Sequence, residues 1–406
     1  MPHPCLPLEN NVGPRVDSRQ NPRGANLSLK LLVVKETKPG EKRVAVAPQV
    51  VSKLKKMGFD VVVESGAGNA SLESDQAYLD QGATITDQVN VELGQAQVVV
   101  SVNPLTKSQI ENVSSGALLV SFAQVNRDLE SLKACQSKKV SLLSFDFLPR
   151  ISRAQAADAL TSQATVAGYH TMLKAASLSQ RMFPLVMTAS GTIRPAKVLV
   201  LGAGVAGLQV MSVAKKLGAV VSGYDVRVAS KDEVKSVGAT FIELDLPPLE
   251  GQGGYARELN EERARLQQEL LTPYVASSDV LITTAAVPGR PAPRLVTKSM
   301  VETMRPGSVV ADMAAESGGN VEGSVPGEIV ELNGVKIWGG ANIPSQMSPD
   351  ASFLYSGNVV SLLGFCVKDE KLSVDASDEV IKGAALLING EITNEFLQKE
   401  IDGGSN

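Results

Sequence analysis

The feature that most restricts how this chain can fold is AKVLVLGAGVAGLQVMSVAKKLG at 196–218. The apolar run Lys197–Leu201 predicts a buried strand, and the pattern after Gly207 predicts a helix. Gly202, Gly204 and Gly207 fall between them as G-x-G-x-x-G. Alone, that spacing also marks ordinary tight helix packing. Between a strand and a helix, it brings backbone amides at a helix N-terminus to a pyrophosphate. Gly202, Ala203, Gly204, Val205 and Gly207 are therefore the expected cofactor-binding positions. The next strand ends in YDVR, placing Asp225 where a carboxylate can accept both hydroxyls of an adenosine ribose, which favours NAD. A 2′-phosphate would meet that carboxylate as a like charge, although Arg227 nearby leaves NADP open. The stretch Ala196–Ala214 is long and apolar enough to suggest a membrane span, but its three glycines fit a strand-to-helix turn better, and no span is expected.

The 406 residues predict two or three domains. Short β-branched runs recur at Leu31–Val34, Val61–Val63, Val98–Val102, Leu118–Phe122 and Val140–Phe145, with helical spacing between them at Pro48–Met57 and Asn126–Cys135. Strand and helix alternate, so a parallel sheet follows. A second α/β unit has strands at Lys197–Leu201, Val220–Tyr224, Val280–Thr283, Val309–Asp312 and Val335–Trp338. A long helix is expected from an N-cap at Ser152 past Ala176, bridging the units, and residues 350–366 suggest a helix returning to the first. The expected fold is α/β: two Rossmann-like domains with parallel sheets, the first discontinuous, linked by long helices. The expected boundaries are a disordered leader at 1–28, a first domain at 29–150 plus 350–390, an NAD-binding domain at 151–349 and a tail at 391–406. The leader holds Pro2, Pro4, Pro7, Pro14 and Pro22 and three arginines, a composition that also suits an organellar targeting peptide.

A net charge of −4 without a long basic run offers no grip on a phosphate backbone, so nucleic acid is not an expected partner. Cys5, Cys135 and Cys366 are too few and too scattered for a disulfide framework, and two histidines do not make a metal cluster; no metal is expected.

Two further stretches are polar where the pattern changes. At 150–161 the chain reads RISRAQAADALT; on a helix Gln155, Asp158 and Ser162 would share one side, with Arg150 just before it. A solvated helix start explains this as readily as a site does. At 246–258, LPPLEGQGGYARE has the composition of a mobile surface loop, either a lid carrying Tyr255 or a plain connection.

With these motifs in hand, the chain resembles the NAD(H)-binding domain I, within the alpha subunit, of the proton-translocating nicotinamide nucleotide transhydrogenases, from about Leu29 to about Phe365. The resemblance lies in KETKPGEKRVAVAP at 35–48, PRISRAQAADALTSQ at 149–163, GAGVAG with YDVR, GGYARE at 253–258, ITTAAVPGRPAP at 282–293 and PGSVVADMAAESGGN at 306–320. It implies an NAD(H) site in a two-domain cleft and direct hydride transfer to NADP(H) held by a partner subunit. It further implies an NADP(H)-binding domain III, a membrane domain II that couples transfer to proton translocation, and a homodimer. By position, it assigns the nicotinamide site to Arg150, Gln155 and Asp158, with Thr161 where the family has a serine. Asp225 and Arg227 match its adenosine-ribose contacts, and Tyr255 matches its mobile-loop tyrosine. A peripheral place on the cytoplasmic side of an inner or plasma membrane is expected.

Hydride transfer between two nicotinamides needs positioning and exclusion of water rather than proton abstraction, so a catalytic histidine is not required. The related alanine dehydrogenases do need an acid/base group. The strand LLVSFAQ has Ala123 where those enzymes carry histidine, and SVNP at 101–104 lacks their lysine, although Arg43 remains. A regulatory NAD-binding module without chemistry is the third alternative.

Overall fold

A computed structural model describes residues 28–123, 125, 129–246, 261–286, 291–368 and 371–403. Residues 1–27 of the expected leader and residues 247–258 of the loop carrying Tyr255 lie outside the described residues.

Two large sheets organise the chain. The first runs, edge to edge, Glu391–Ile392, Ala385–Ile388, Ser141–Ser144, Leu118–Ser121, Val98–Val100, Leu29–Val33, Phe59–Glu64 and Thr84–Thr86. Its six strands from the N-terminal half are parallel, in the doubly wound order 3-2-1-4-5-6. The second sheet repeats that order with Thr240–Phe241, Val220–Tyr224, Lys197–Leu201, Val280–Thr283, Val309–Asp312 and Val335–Gly339, then adds Ile329–Leu332 antiparallel at its edge.

Both faces of each sheet are covered, which is why the strands read as continuous apolar runs rather than alternating ones. Leu31 and Val33 pack into one core and Leu32 and Val34 into another; Val198 and Val200 separate from Leu199 and Leu201 in the same way. The first domain is discontinuous. The return helix Ser348–Cys366 sends Tyr355, Val359, Leu362 and Leu363 into the core that holds Leu31 and Val33.

Two expectations need correction. The bridging helix spans Ala159–Leu178 and does not begin at Ser152; residues Ser152–Ala157 form 3-10 turns. Asp158 is the N-cap, its side chain accepting from the Thr161 amide, and so supplies the stop that the pattern placed at Ser152. Residues 391–403, expected as a tail, contribute the edge strand Glu391–Ile392 and the helix Glu395–Gly403. Leu397 of that helix is fully buried in the core with Val140 and Leu142, so the apolar face of a short element outweighs its polar composition. The hairpin Val186–Thr188 with Gly191–Ile193 was likewise not legible, being too short to show a period.

Candidate functional site

In a doubly wound sheet the crevice opens where strand order reverses, at the carboxyl ends of the two central strands. In the second sheet these are Lys197–Leu201 and Val280–Thr283, which are followed by Gly202 and Thr284. The three glycines there have different physical duties. Gly202 has φ +106°, and a Cβ on it would lie 2.4 Å from Thr284 Oγ1. A Cβ on Gly207 would lie 1.9 Å from the Gly202 carbonyl oxygen, so helix and strand touch there. A Cβ on Gly204 would meet nothing within 4 Å. That gap opens at the N-terminus of the 12-residue helix Val205–Lys216, whose N-cap Gly204 supplies no side-chain cap. A helix N-terminus without a side-chain cap, beside open space at Gly204, fits a pyrophosphate.

Asp225 stands at the end of the neighbouring strand. Its Oδ2 accepts from the Ala203 amide at 2.8 Å and from the Arg227 guanidinium at 3.0 Å; its Oδ1 accepts from the Arg227 amide at 2.9 Å and Nε at 3.0 Å. These bonds to Asp225 hold the Arg227 guanidinium firmly protonated. The carboxylate is thus anchored to the glycine turn.

The bridging helix reaches the same turn. A Cβ on Gly168 would lie 2.4 Å from the Ala206 carbonyl oxygen, so this helix crosses the start of Val205–Lys216 in close contact. Seven residues toward its N-terminus, roughly 10 Å along the axis, Thr161 donates its hydroxyl to Asp158 Oδ2 at 2.6 Å and its amide to Oδ1 at 2.9 Å. Gln155 and Arg150 are exposed just upstream. Gln155 does not share a helix with Ser162, because the 3-10 turns intervene.

Sequence reasoning passed over three residues. Thr284 donates to the Gly202 carbonyl at 3.1 Å and braces the turn. Asp312, with no exposure, accepts from Thr283, Ala314, Asn320, Val321 and Ser324 and shapes the loop after its strand. Gly168 permits the helix crossing. The blocks ITTAAVPGRPAP and PGSVVADMAAESGGN contain the first two, but composition does not reveal which atoms they meet.

The reversal point of the first sheet lies between Leu29–Val33 and Val98–Val100 and is filled by the chain's own side chains. Glu36 accepts from the amides of Val102 and Asn103 and from Asn103 Nδ2. The same Nδ2 also donates to Glu41 Oε2 at 3.0 Å, tying the two carboxyls together. Burial, with the Glu41 charge nearby, outweighs those bonds and pushes the Glu36 carboxyl up to about 7. Burial would also raise Glu41, but bonds and charge from Arg43 hold it down to about 2. Arg43, itself buried, spends Nε and one terminal nitrogen on Glu41 and the other on Gln163 Oε1 at 2.9 Å. Asn342 Nδ2 and Ser345 Oγ donate to Glu41 from the start of the return segment. Ala123 is buried, its amide bonded to Asp146 Oδ2 at 2.7 Å.

Known proteins align along nearly the whole chain. The family described as Alanine dehydrogenase/PNT, N-terminal domain, matches residues 32–167, and its C-terminal domain matches residues 171–395. An NAD(P) transhydrogenase subunit alpha protein of Rhodospirillum rubrum, the first section of that subunit, is 42 % identical over 379 residues, covering 91 % of this chain and 99 % of that protein. The solved transhydrogenase from Sinorhizobium meliloti superimposes with a TM-score of 0.79 at 38 % identity, covering 90 % of this chain and 99 % of that one. "Alanine dehydrogenase" of Methanococcus maripaludis is 26 % identical over 382 residues, covering 91 % of this chain and 96 % of that protein.

Proposed function

The chain belongs to the alanine dehydrogenase/PNT family, and within it we propose that it is the NAD(H)-binding component of a proton-translocating transhydrogenase. Hydride passes from NADH on this chain to NADP+ on a partner domain, and a membrane component couples the transfer to proton movement. The observation that carries this reading is the contrast between the two reversal points. One is an open glycine turn with an anchored carboxylate; the other is filled by Glu36, Asn103, Glu41 and Arg43. An amino acid dehydrogenase would need a free cation for the substrate carboxylate and an acid/base group beside it. Here the Arg43 guanidinium is committed to Glu41 and Gln163, and Ala123 carries no titratable group. His170, the histidine among the described residues, lies about three turns into the bridging helix and bonds Gln346 at 2.9 Å.

Bound NADH supplies the hydride. The amides at Gly204 and Val205 hold the pyrophosphate, with Gly202, Ala203 and Gly207 shaping the turn, and Asp225 accepts the ribose hydroxyls with Arg227 beside it. Arg150, Gln155, Asp158 and Thr161 orient the nicotinamide ring for transfer, and Tyr255 is a further nucleotide contact. Their work is positioning at near-attack distance, since the transfer moves no proton. In this reading residues 29–150 with those from 350 onward form the first domain and 151–349 the nucleotide-binding one. The chain works as a homodimer on the cytoplasmic face of the membrane, with NADP(H) held by the partner's domain III and the proton path in domain II.

The test uses the purified chain with NADH in two arms: pyruvate with ammonium, and NADP+ with an NADP-binding partner protein. Turnover is expected only in the second. Turnover in the first would establish the amino acid dehydrogenase instead, and saturable NADH binding with neither reaction would leave a regulatory module.

A further inference from the structure

We propose that Asn358 of the return helix is a positioning residue that imposes the chain break at Asp158 and thereby aims Gln155 and Asp158; this rests on the nucleotide-site role proposed above for those two side chains.

Residues 152–157 read SRAQAA, a composition with good intrinsic helix propensity, and the pattern by itself predicts one helix from Ser152 past Ala176. The structure instead holds 3-10 turns up to Ala157, a break with ψ 89° at Asp158, and a helix from Ala159. Some tertiary contact must outweigh the local preference. Asn358 stands at the break, 7 % exposed, in a 19-residue helix whose charged residue is Asp350. A buried amide is costly unless both ends are bonded. Its Nδ2 donates to the Ala156 carbonyl at 3.0 Å, and its Oδ1 accepts the Ser162 hydroxyl at 2.7 Å. Ala156 lies between Gln155 and Asp158, and Ser162 lies in the first turn of the bridging helix. One side chain therefore grips both sides of the break and takes up a carbonyl that a continuous helix would have bonded within itself. Gln163 secures the next position, donating to the Ala351 carbonyl at 3.0 Å while accepting from Arg43.

The test compares Asn358→Ala, the near-isosteric Asn358→Asp, Ser162→Ala and Ser162→Thr. It measures affinity for NADH, affinity for ADP-ribose, which lacks the nicotinamide, and hydride transfer to NADP+ on the partner. ADP-ribose affinity is expected to stay within about twofold throughout, while both Asn358 variants lower the transfer rate by about tenfold or more. Ser162→Thr keeps the hydroxyl and retains the rate; Ser162→Ala loses part of it, and adding it to Asn358→Ala costs nothing further. An unchanged rate in the Asn358 variants, or equal losses of ADP-ribose and NADH affinity, overturns the proposal. If the unmutated chain transfers no hydride to the partner, the functional reading fails. The ratio of NADH to ADP-ribose affinity then decides the role of Asn358: a fall in Asn358→Asp supports it, and no change overturns it.

Discussion

The carboxylate of Asp225 closes on the main chain of Ala203, its Oδ2 lying 2.8 Å from that amide nitrogen across 22 residues of sequence. The carboxylate proposed to read the ribose is thereby locked to the glycine turn, and Arg227 completes the lock from the other side. Asp225→Ala removes both the ribose acceptor and the anchor. NADH affinity should fall by about 10- to 100-fold, the loss expected for charge-assisted hydrogen bonds, and the preference over NADPH should narrow. Calorimetric titration with each nucleotide checks this; equal NADH and NADPH binding by the unmutated chain would contradict the assignment.

The glycine turn separates folding from binding. Gly207→Ala drives a Cβ against the Gly202 carbonyl and should destabilise the fold by about 1–3 kcal/mol, as overpacking does. Gly204→Ala meets no protein atom in a backbone conformation open to alanine, so stability should change by less than about 0.5 kcal/mol. NADH binding should nevertheless weaken, because the methyl occupies that open space. Thermal unfolding with and without NADH distinguishes the two variants.

Arg43 is a buried structural cation. Arg43→Met leaves the Glu41 carboxylate buried against Asn103, Asn342 and Ser345 without its countercharge, at a cost of about 3–5 kcal/mol. Denaturant unfolding measures it. Pyruvate or alanine at millimolar concentration should not shift the melting temperature of the unmutated chain, and a clear shift would show that Arg43 is free to bind them.

Glu36 and Glu41 tilt the pH dependence of stability in opposite directions. Glu36 sits at about 7 against an ordinary 4.5, so between those values the folded chain keeps a proton that the unfolded chain has released. Its effect is to lower stability as pH rises from 4.5 through 7, by about 3 kcal/mol as an upper bound. Glu41, held at about 2, contributes stability that is present above 4.5 and is lost as pH falls toward 2. Glu36→Gln should flatten the decline between 4.5 and 7 in a series of unfolding curves; an unaltered slope would rule Glu36 out as its source.

What the amino-acid sequence determined by itself is what depends on neighbours within a turn or two of chain. Strands such as Lys197–Leu201, Val220–Tyr224 and Val280–Thr283 fall where their β-branched runs predict, because burial on both faces leaves a continuous apolar signal. Gly202, Gly204, Gly207 and Asp225 are legible for a similar reason: backbone clearance and a fixed strand-to-helix spacing leave few residue types that fit.

Tertiary structure alone decided the contacts between segments far apart in the chain. Arg43 meets Gln163 across 120 residues, and Asn358 meets Ala156 across 202. The antiparallel strand Ala385–Ile388 joins the first sheet beside Ser141–Ser144, and Leu397 covers it. None of these partners leaves a period in the sequence, because a single buried hydrogen bond constrains one side chain on each side. The helix expected from Ser152 shows the consequence: its residues favour a continuous helix, and bonds from Asp158 and Asn358, each satisfying polar groups at the break, override that preference.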